Sequence, residues 1–283
     1  MTDPEGLVLV DKPTGVTSHD VVDAIRRALG TRKVGHAGTL DPIASGLLVL
    51  GVGRATRLLR YLGDLDKTYE GSALLGAETE TLDVEGAVVR TRPVMVDRPQ
   101  VDRAAAALIG DSMQRPPAYS AVKVGGRKLY EAARQGEVLE AEPRRIRVRT
   151  FDVTAFHSPA FDFRTVVSSG TYVRVLVADL GSALGCGAHL TRLVRTAIGP
   201  FSLSDAVPPE RVVEPMPVER AVVHLPSLEL GAEEARVAAN GSILAPAGIE
   251  GPYGVFSSDG RLIGVYRDDG GKARPEMILP PAP

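Results

Sequence analysis

Apolar positions fall into short blocks whose spacing changes along the chain. Residues 6–10 (GLVLV) form an unbroken apolar run and predict a buried strand. After the Thr17-Ser18 cap, Val21, Val22, Ile25 and Leu29 recur at helical spacing until Gly30 stops the run, which predicts an amphipathic helix. A glycine-rich loop is expected over residues 35–46, then a short apolar strand ending at Val52. Next comes a helical segment over 54–62 with Leu58, Leu59 and Leu62 on one face. Residues 67–75 read as a strand, 101–109 as a helix, 119–124 as a strand, and 129–134 as a short helix behind the Gly125-Gly126 break. Alternation predicts strands over 145–156 and 161–169, and Val173, Leu176, Val177 and Leu180 line the inner face of a helix over 171–184. Strands and helices mix without a regular βαβ rhythm, so the expected fold class is α+β with a mixed, largely antiparallel sheet.

The pattern shifts where Pro208, Pro209, Pro215 and Pro217 crowd together. Beyond them come one helix (232–239) and short strands near 254–256 and 262–266, divided by the turn Ser258-Asp259-Gly260. At roughly 150 residues per domain, 283 residues suggest two domains. The expected division is a main domain over 1–225 and a small β-rich one over 226–283.

Composition changes little in this picture, and charge changes more. With 44% hydrophobic and 24% charged residues the chain is an ordinary folded protein, not a disordered, collagenous or coiled-coil one. Its 33 basic and 35 acidic residues give a formal net charge of -2, which by itself argues against a nucleic-acid partner. Division by segment weakens that argument. Residues 26–60 hold seven bases (Arg26, Arg27, Arg32, Lys33, Arg54, Arg57, Arg60) against Asp41 alone, and residues 61–86 hold seven acids against Lys67. A second basic run, Arg144-Arg145-Ile146-Arg147-Val148-Arg149, places alternate arginines on one strand face, either as a solvated face or as a stripe for phosphates. From residue 201 onward twelve acids outweigh seven bases.

The single cysteine, Cys186, excludes an intrachain disulfide and a thiolate metal cluster and points to a reducing compartment. No apolar run approaches the ~18 residues of a membrane span, and the start Met1-Thr2-Asp3-Pro4-Glu5 lacks a signal core, so a cytoplasmic protein is expected. The five histidines lack metal-ligand spacing, Ser18-His19-Asp20 are mere sequence neighbours, and Gly51-Val52-Gly53-Arg54-Ala55-Thr56 lacks the Lys-Ser/Thr of a phosphate loop. No metal is expected.

The most informative stretch is Val34-Gly35-His36-Ala37-Gly38-Thr39-Leu40-Asp41-Pro42-Ile43-Ala44-Ser45-Gly46-Leu47-Leu48. Its glycines permit positive φ and close backbone approach, and Pro42 pushes Asp41 toward an extended conformation. Asp41 is thus presented on a stiff loop as the lone acid among seven bases, where a carboxylate stays ionised and can act as a nucleophile. The plainer alternative is an Asp-Pro turn closed by an Asx hydrogen bond.

This stretch resembles the GxxGTLDPxASGLL signature of the TruB family of pseudouridine synthases, whose bacterial members modify the tRNA T loop. Four further elements agree in order and spacing. Val10-Asp11-Lys12-Pro13-Thr14-Gly15-Val16-Thr17-Ser18 resembles the family's DKPxGxTS element, and Asp66-Lys67-Thr68-Tyr69 its KxY element. Gln114-Arg115-Pro116-Pro117-Ala118-Tyr119-Ser120-Ala121-Val122-Lys123 with Leu129-Tyr130-Glu131-Ala132-Ala133-Arg134 is similar to the RNA-binding insert of this branch, placed at about 111–140. Ser169-Gly170-Thr171-Tyr172-Val173-Arg174, followed by Leu180-Gly181 and Gly185-Cys186-Gly187-Ala188-His189-Leu190, completes the set.

The resemblance implies a pseudouridine synthase sheet followed by a short RNA-binding module of the PUA type over 226–283, whose acidic balance departs from a strong RNA binder. It implies an isomerase that flips a uridine from its stack, detaches uracil from the ribose through N1 and reattaches it through C5, with no cofactor. Asp41 is then the nucleophile, acting at the ribose C1′, at the pyrimidine ring, or through elimination to a glycal. By the same resemblance Arg174 pairs with Asp41, and Tyr69 stacks on the uracil and helps move a proton. Tyr172 and the backbone of Leu193 contact the uracil, His36 contacts the surrounding RNA, and Lys12 with Pro13 braces the catalytic loop. The implied substrate is the tRNA T arm at position 55, taken by a stand-alone monomer with no protein partner and no membrane. Two rivals remain at this point: a guide-RNA-dependent pseudouridine synthase subunit, and a catalytically silent tRNA-folding chaperone.

Overall fold

The apolar run at the N-terminus and the capped helix behind it form as their patterns predict, and both lie in the first of two compact units. A computed structural model describes residues 3–137 and 139–279. Met1 and Thr2, read above as part of the N-terminal start, and residues 280–283, the end of the expected C-terminal domain, lie outside the described residues. The first unit comprises the described parts of Met1–Asp41, Leu47–Gly63 and Gly199–Pro283, and the second those of Pro42–Gly46 and Asp64–Ile198.

In the first unit, strand β1 (Gly6–Lys12) is followed by helix α1 (Ser18–Leu29). Thr17 and Asp20 close a reciprocal capping box at its start, and Gly30, at φ 64°, ends it in the left-handed conformation that glycine adopts without strain. The buried stripe Val21, Val22 and Ile25 packs with Val8, Val10, Val34, Leu50, Val52 and Val212. The loop expected over 35–46 is shorter than its glycines suggested. Val34–His36 forms β2, whose His36 pairs with Leu50, and β3 already begins in Ala44–Val52. Both ends of the stretch are therefore held in ladders, and only residues 37–43 form a loop. The expected helix over 54–62 forms as a 3-10 turn (Gly53–Leu58) running into a short α-helix (Leu59–Gly63).

The C-terminal part of this unit is a four-stranded sheet with the helix Ala232–Ala239. Its strands Ser227–Leu230, Pro252–Ser257, Leu262–Asp269 and Lys272–Ile278 lie in that order, the first pair parallel and the others antiparallel. Leu230, Ala235, Ala238, Tyr253, Val255, Ile263, Tyr266 and Ala273 form its core. The first and last strands were not expected from the sequence, since SLEL alternates over only four residues and KARPEMI is interrupted by Pro275. Arg57 donates to the Ile278 carbonyl at 2.9 Å and the Tyr61 hydroxyl to Glu276 at 3.1 Å, which anchors the sheet to the 47–63 segment. Burial and the Glu276 carboxylate push the Tyr61 phenol up to about 12.

In the second unit, residues 44–46 of β3 begin a sheet that continues through the strands Ala188–Ile198, Lys67–Leu75, Ala160–Val167, Arg144–His157 and Gly110–Gln114. Only the first pairing is parallel, Leu193 opposite Ala44 to Arg195 opposite Gly46. The largely antiparallel α+β class expected from the sequence is what forms. Phe151 stacks on Phe163 at 4.9 Å between ring centroids on the buried face, with Phe161 beside them. Of the strand expected over 119–124 only Lys123–Val124 forms, paired with Arg127–Lys128 around Gly125-Gly126. The preceding carbonyls are used otherwise: Ser120 and Val122 accept from the Tyr130 and Leu129 amides at the start of the next helix.

Gly46 has φ 98°, and a β-carbon there would lie 2.4 Å from the Arg195 carbonyl oxygen. Gly46→Ala is therefore expected to lower unfolding free energy by about 2 kcal/mol or more, combining a strained φ with a backbone clash. Urea denaturation reads this directly, and an unchanged midpoint would show that the strand end relaxes freely.

Candidate active site

The first unit carries the loop with the lone acid. Lys12, at the end of β1, is fully buried, and its amino group donates to the Pro13 carbonyl at 2.9 Å and the Val16 carbonyl at 2.7 Å. It therefore braces the 13–16 turn. One turn later the Ser18 hydroxyl accepts from the Leu40 amide at 2.8 Å and donates to the Leu40 carbonyl at 3.0 Å. The residue just before Asp41 is thus clamped on both backbone groups by the first residue of α1, while Leu40 itself is buried. Ahead of it the Ala37 amide donates to the Val49 carbonyl at 2.9 Å, and Gly38 turns with φ 104°. Asp41 and His36, both half-buried, sit on this short braced segment.

The second unit gathers the other expected residues. Tyr69 lies on the buried face of its strand, which it shares with Lys67 two positions earlier. The Lys67 amino group donates to the Leu65 carbonyl at 2.8 Å, and burial, with the Arg195 guanidinium adding to it, pushes that amino group down to about 8. Tyr69 is flanked in register by Thr165 on one side and Arg195 on the other. Leu193, two residues before Arg195, is opposite Gly71 and, on its other edge, opposite Ala44, three residues along the chain from Asp41.

Tyr172 and Arg174 come together at the start of the helix Val173–Ala183. Arg174 is only 4% exposed, and two of its guanidinium nitrogens are held by backbone carbonyls. One nitrogen donates to the Thr81 carbonyl at 2.8 Å and another to the Tyr119 carbonyl at 2.5 Å. The Tyr172 ring lies 5.6 Å from the Arg174 guanidinium and 4.8 Å from that of Arg144, near enough for cation–π attraction from both. The helix was expected from 171 but starts at Val173, because Tyr172 is its N-cap in an extended conformation, φ -94° and ψ 108°.

The structure therefore places the expected residues as three pairs: His36 at the end of β2 with Asp41 on the loop that follows it, Tyr69 with Leu193 on adjacent strands, and Tyr172 with Arg174 at one helix start. Sequence reasoning gave no role to Thr81, Gln114, Arg195 or, outside its charge run, Arg144. Within that run Arg145, Arg147 and Arg149 do share an exposed strand face. Acids meet all three. Arg145 and Arg147 bond Asp111, holding its carboxyl down to about 2 chiefly through the Arg147 hydrogen bonds, and Arg149 bonds Asp66 at 3.0 Å. The stripe read as a possible phosphate face is thus a paired, solvated one. Among the described residues no group of three His, Cys, Asp or Glu side chains could hold a metal ion, and no helix is long and apolar enough to cross a membrane.

Comparison with known proteins follows the same lines. Residues 26–173 match the family described as TruB family pseudouridylate synthase (N terminal domain). Residues 174–222 match a tRNA pseudouridylate synthase B C-terminal domain, and 225–280 the C-terminal domain of tRNA pseudouridine synthase II. The chain is 45% identical to tRNA pseudouridine synthase B of Thermobifida fusca (strain YX) over 97% of its own length and 98% of that protein's. It is 51% identical to the protein of that name from Opitutus terrae over 72% of this chain and 85% of the other. Among solved structures, a Cbf5-Nop10-Gar1 complex matches with TM-score 0.76 at 26% identity, covering 97% of this chain and 85% of that one. An H/ACA RNP bound to a substrate RNA containing 2'-deoxyuridine shares the fold, with TM-score 0.77 at 24% identity over 98% and 86% of the two chains.

Proposed function

The chain belongs to the TruB family of pseudouridylate synthases, and on that premise we propose that it is a stand-alone isomerase converting the T-loop uridine of tRNA, position 55, to pseudouridine. The observation that carries this reading is Arg174. A buried guanidinium fixed by two backbone carbonyls beside a tyrosine is an oriented cation prepared for a carboxylate, and the family motif supplies that carboxylate as Asp41.

In the reaction the C1′–N1 bond breaks, uracil turns, and a C1′–C5 bond forms. N1 gains a proton and C5 loses one to solvent, so atoms balance without a cofactor. The uridine must first leave its stack at a cost of a few kcal/mol, recovered by stacking and by bonds to the base edge. Tyr69 and Tyr172 supply aromatic faces, the Leu193 backbone an edge contact, and His36 a contact to the surrounding RNA. Asp41 is the nucleophile, with Arg174 as the partner that the family motif implies for it. The low exposure of Tyr69 suits a stacking surface in a site that excludes water.

The domain reading remains residues 1–225 as the catalytic part, with the insert at about 111–140, and 226–283 as a short PUA-like module; the separate core of the C-terminal sheet and its own family match over 225–280 support it. A cytoplasmic monomer acting on the tRNA T arm without a protein partner completes the proposal. The near-full coverage shared with relatives named tRNA pseudouridine synthase B favours the stand-alone reading over a guide-RNA-dependent subunit.

Mass-spectrometric mapping of pseudouridine in unmodified tRNA transcript treated with the purified protein tests reaction and site together. Conversion at position 55 without added RNA or protein is expected, and no conversion until a guide RNA is supplied would favour the rival. Tyr69→Phe separates stacking from proton transfer. It keeps the ring, so tRNA affinity should hold within about 2-fold, while a proton-transfer role predicts a rate loss of about 10²-fold. A single-turnover rate equal to wild type would remove Tyr69 from the acid–base chemistry.

A further inference from the structure

Tyr172 is held by a residue that no motif reading assigned. Gln114 ends the strand Gly110–Gln114, is 4% exposed, and reaches the residue that caps the helix Val173–Ala183. Its amide oxygen accepts from the Tyr172 N–H at 2.8 Å, and its amide nitrogen donates to the Tyr172 carbonyl at 3.2 Å. One planar amide thereby pairs with both backbone groups of one residue, as a neighbouring strand would. The pairing answers a need: this helix start has no side-chain cap, and a buried N–H without a partner is costly.

What hangs on Tyr172 makes the contact more than a cap. Its ring lies 4.8 Å from the Arg144 guanidinium and 5.6 Å from that of Arg174, which stands two residues further on. Gln114 is also the last residue before Arg115-Pro116-Pro117, the entry to the insert, and five residues later the Tyr119 carbonyl accepts from Arg174. The start of the insert thus grips the Tyr172–Arg174 pair at two points, through the Gln114 side chain and through the Tyr119 backbone.

We propose that Gln114 is a positioning residue for pseudouridylation, fixing the backbone of Tyr172 and with it the aim of the Tyr172 ring and the Arg174 guanidinium, and tying both to the base of the RNA-binding insert. This rests on the reading of the site given above. Glutamine suits the task by chemistry, since only a side-chain amide of this length accepts from N–H and donates to C=O at once. A glutamate carboxylate accepts the N–H but faces the carbonyl with a second acceptor, and asparagine is one methylene short.

The test is a set of single-turnover assays on full-length protein, following tritium released from C5 of labelled uridine in a tRNA transcript. Gln114→Glu and Gln114→Asn are expected to lower the isomerisation rate about 10- to 100-fold, as misplacement on the ångström scale does, with KM for tRNA changed less than about 3-fold. Amide hydrogen exchange in a peptide spanning residues 168–176 should accelerate in both variants, while thermal midpoints stay within a few degrees. Gln114→Leu serves as a third variant that removes both bonds. A rate equal to wild type, a loss confined to KM, or unchanged exchange across 168–176 would each overturn the proposal. Wild-type protein inactive on tRNA would instead overturn the functional reading, and the exchange measurement would still decide whether Gln114 holds Tyr172.

Discussion

Asp41→Asn is expected to abolish pseudouridine formation, with a single-turnover rate at least about 10⁴-fold below wild type, while tRNA affinity changes by no more than about 3-fold. The substitution is close to isosteric, and several contacts that shape the loop are made by other residues. Lys12 holds the 13–16 turn, Ser18 clamps both backbone groups of Leu40, and Pro42 restrains the residue before it whichever side chain is present. The thermal midpoint should therefore stay near wild type. What disappears is the nucleophile, because an amide oxygen carries no negative charge to offer a developing cation or an electrophilic ring carbon. Binding tells the same story from the other side. Asp41 is the sole acid among the seven bases of residues 26–60, so its neutralisation leaves attraction for phosphates undiminished. The variant also separates the two readings of an Asp-Pro sequence. An asparagine closes an Asx turn as well as an aspartate does, so a purely structural Asp41 predicts nearly full activity. Turnover near wild type would sink the nucleophile assignment, and a collapse in affinity together with rate would show that the carboxylate organises the loop.

Where local pattern and burial coincide, the fold is legible from residues alone. The strand Lys67–Leu75 and the helices Leu129–Arg134 and Ala232–Ala239 form over the expected residues, and Thr17 and Gly30 bound α1 as their cap chemistry dictates. The strand Ala188–Ile198 was missed for a physical reason. It lies inside the sheet with neighbours on both edges, is bulged twice, and carries Arg195 at 1% exposure, so neither alternation nor an apolar run marks it. The glycine count over 35–46 misled in the opposite direction, since glycines allow a loop but also allow the close strand approach seen at Gly46. Candidate site residues can be proposed where a compact motif carries them, as with Asp41, Tyr69, Tyr172 and Arg174. Gln114 was present in a quoted motif, but its partner is 58 residues away, and nothing in linear spacing announces a side-chain amide pairing with a distant backbone. The basic run at 144–149 shows the converse failure, because Asp111 and Asp66, which neutralise it, belong to other segments.

Arg174→Lys is expected to cost both stability and rate, in proportions that identify why arginine is used. The two carbonyls that hold the guanidinium belong to Thr81 and Tyr119 and are met by different nitrogens, so the planar fork is fixed at two points. A lysine ammonium is a single point on a flexible stem. It keeps the charge but cannot bond both carbonyls and still present a fixed donor pair, and its compact charge is dearer to bury than a guanidinium. One carbonyl left short of its partner costs about 1–3 kcal/mol, which for a chain of this size is a loss of a few degrees in thermal midpoint. The rate should fall further, by about 10²- to 10³-fold, if the oriented cation serves the proposed nucleophile as a preorganised element and not merely as a source of charge. Tyr172 should lose one of its two guanidinium neighbours at the same time, leaving only Arg144 over its ring. Single-turnover rates and thermal denaturation on the same preparation make the comparison. A lysine variant within about 3-fold of wild-type rate would mean that charge alone suffices and that the two carbonyl bonds serve the fold. A variant with intact stability but no activity would mean that the carbonyls find other partners and that the fork itself is what the reaction requires.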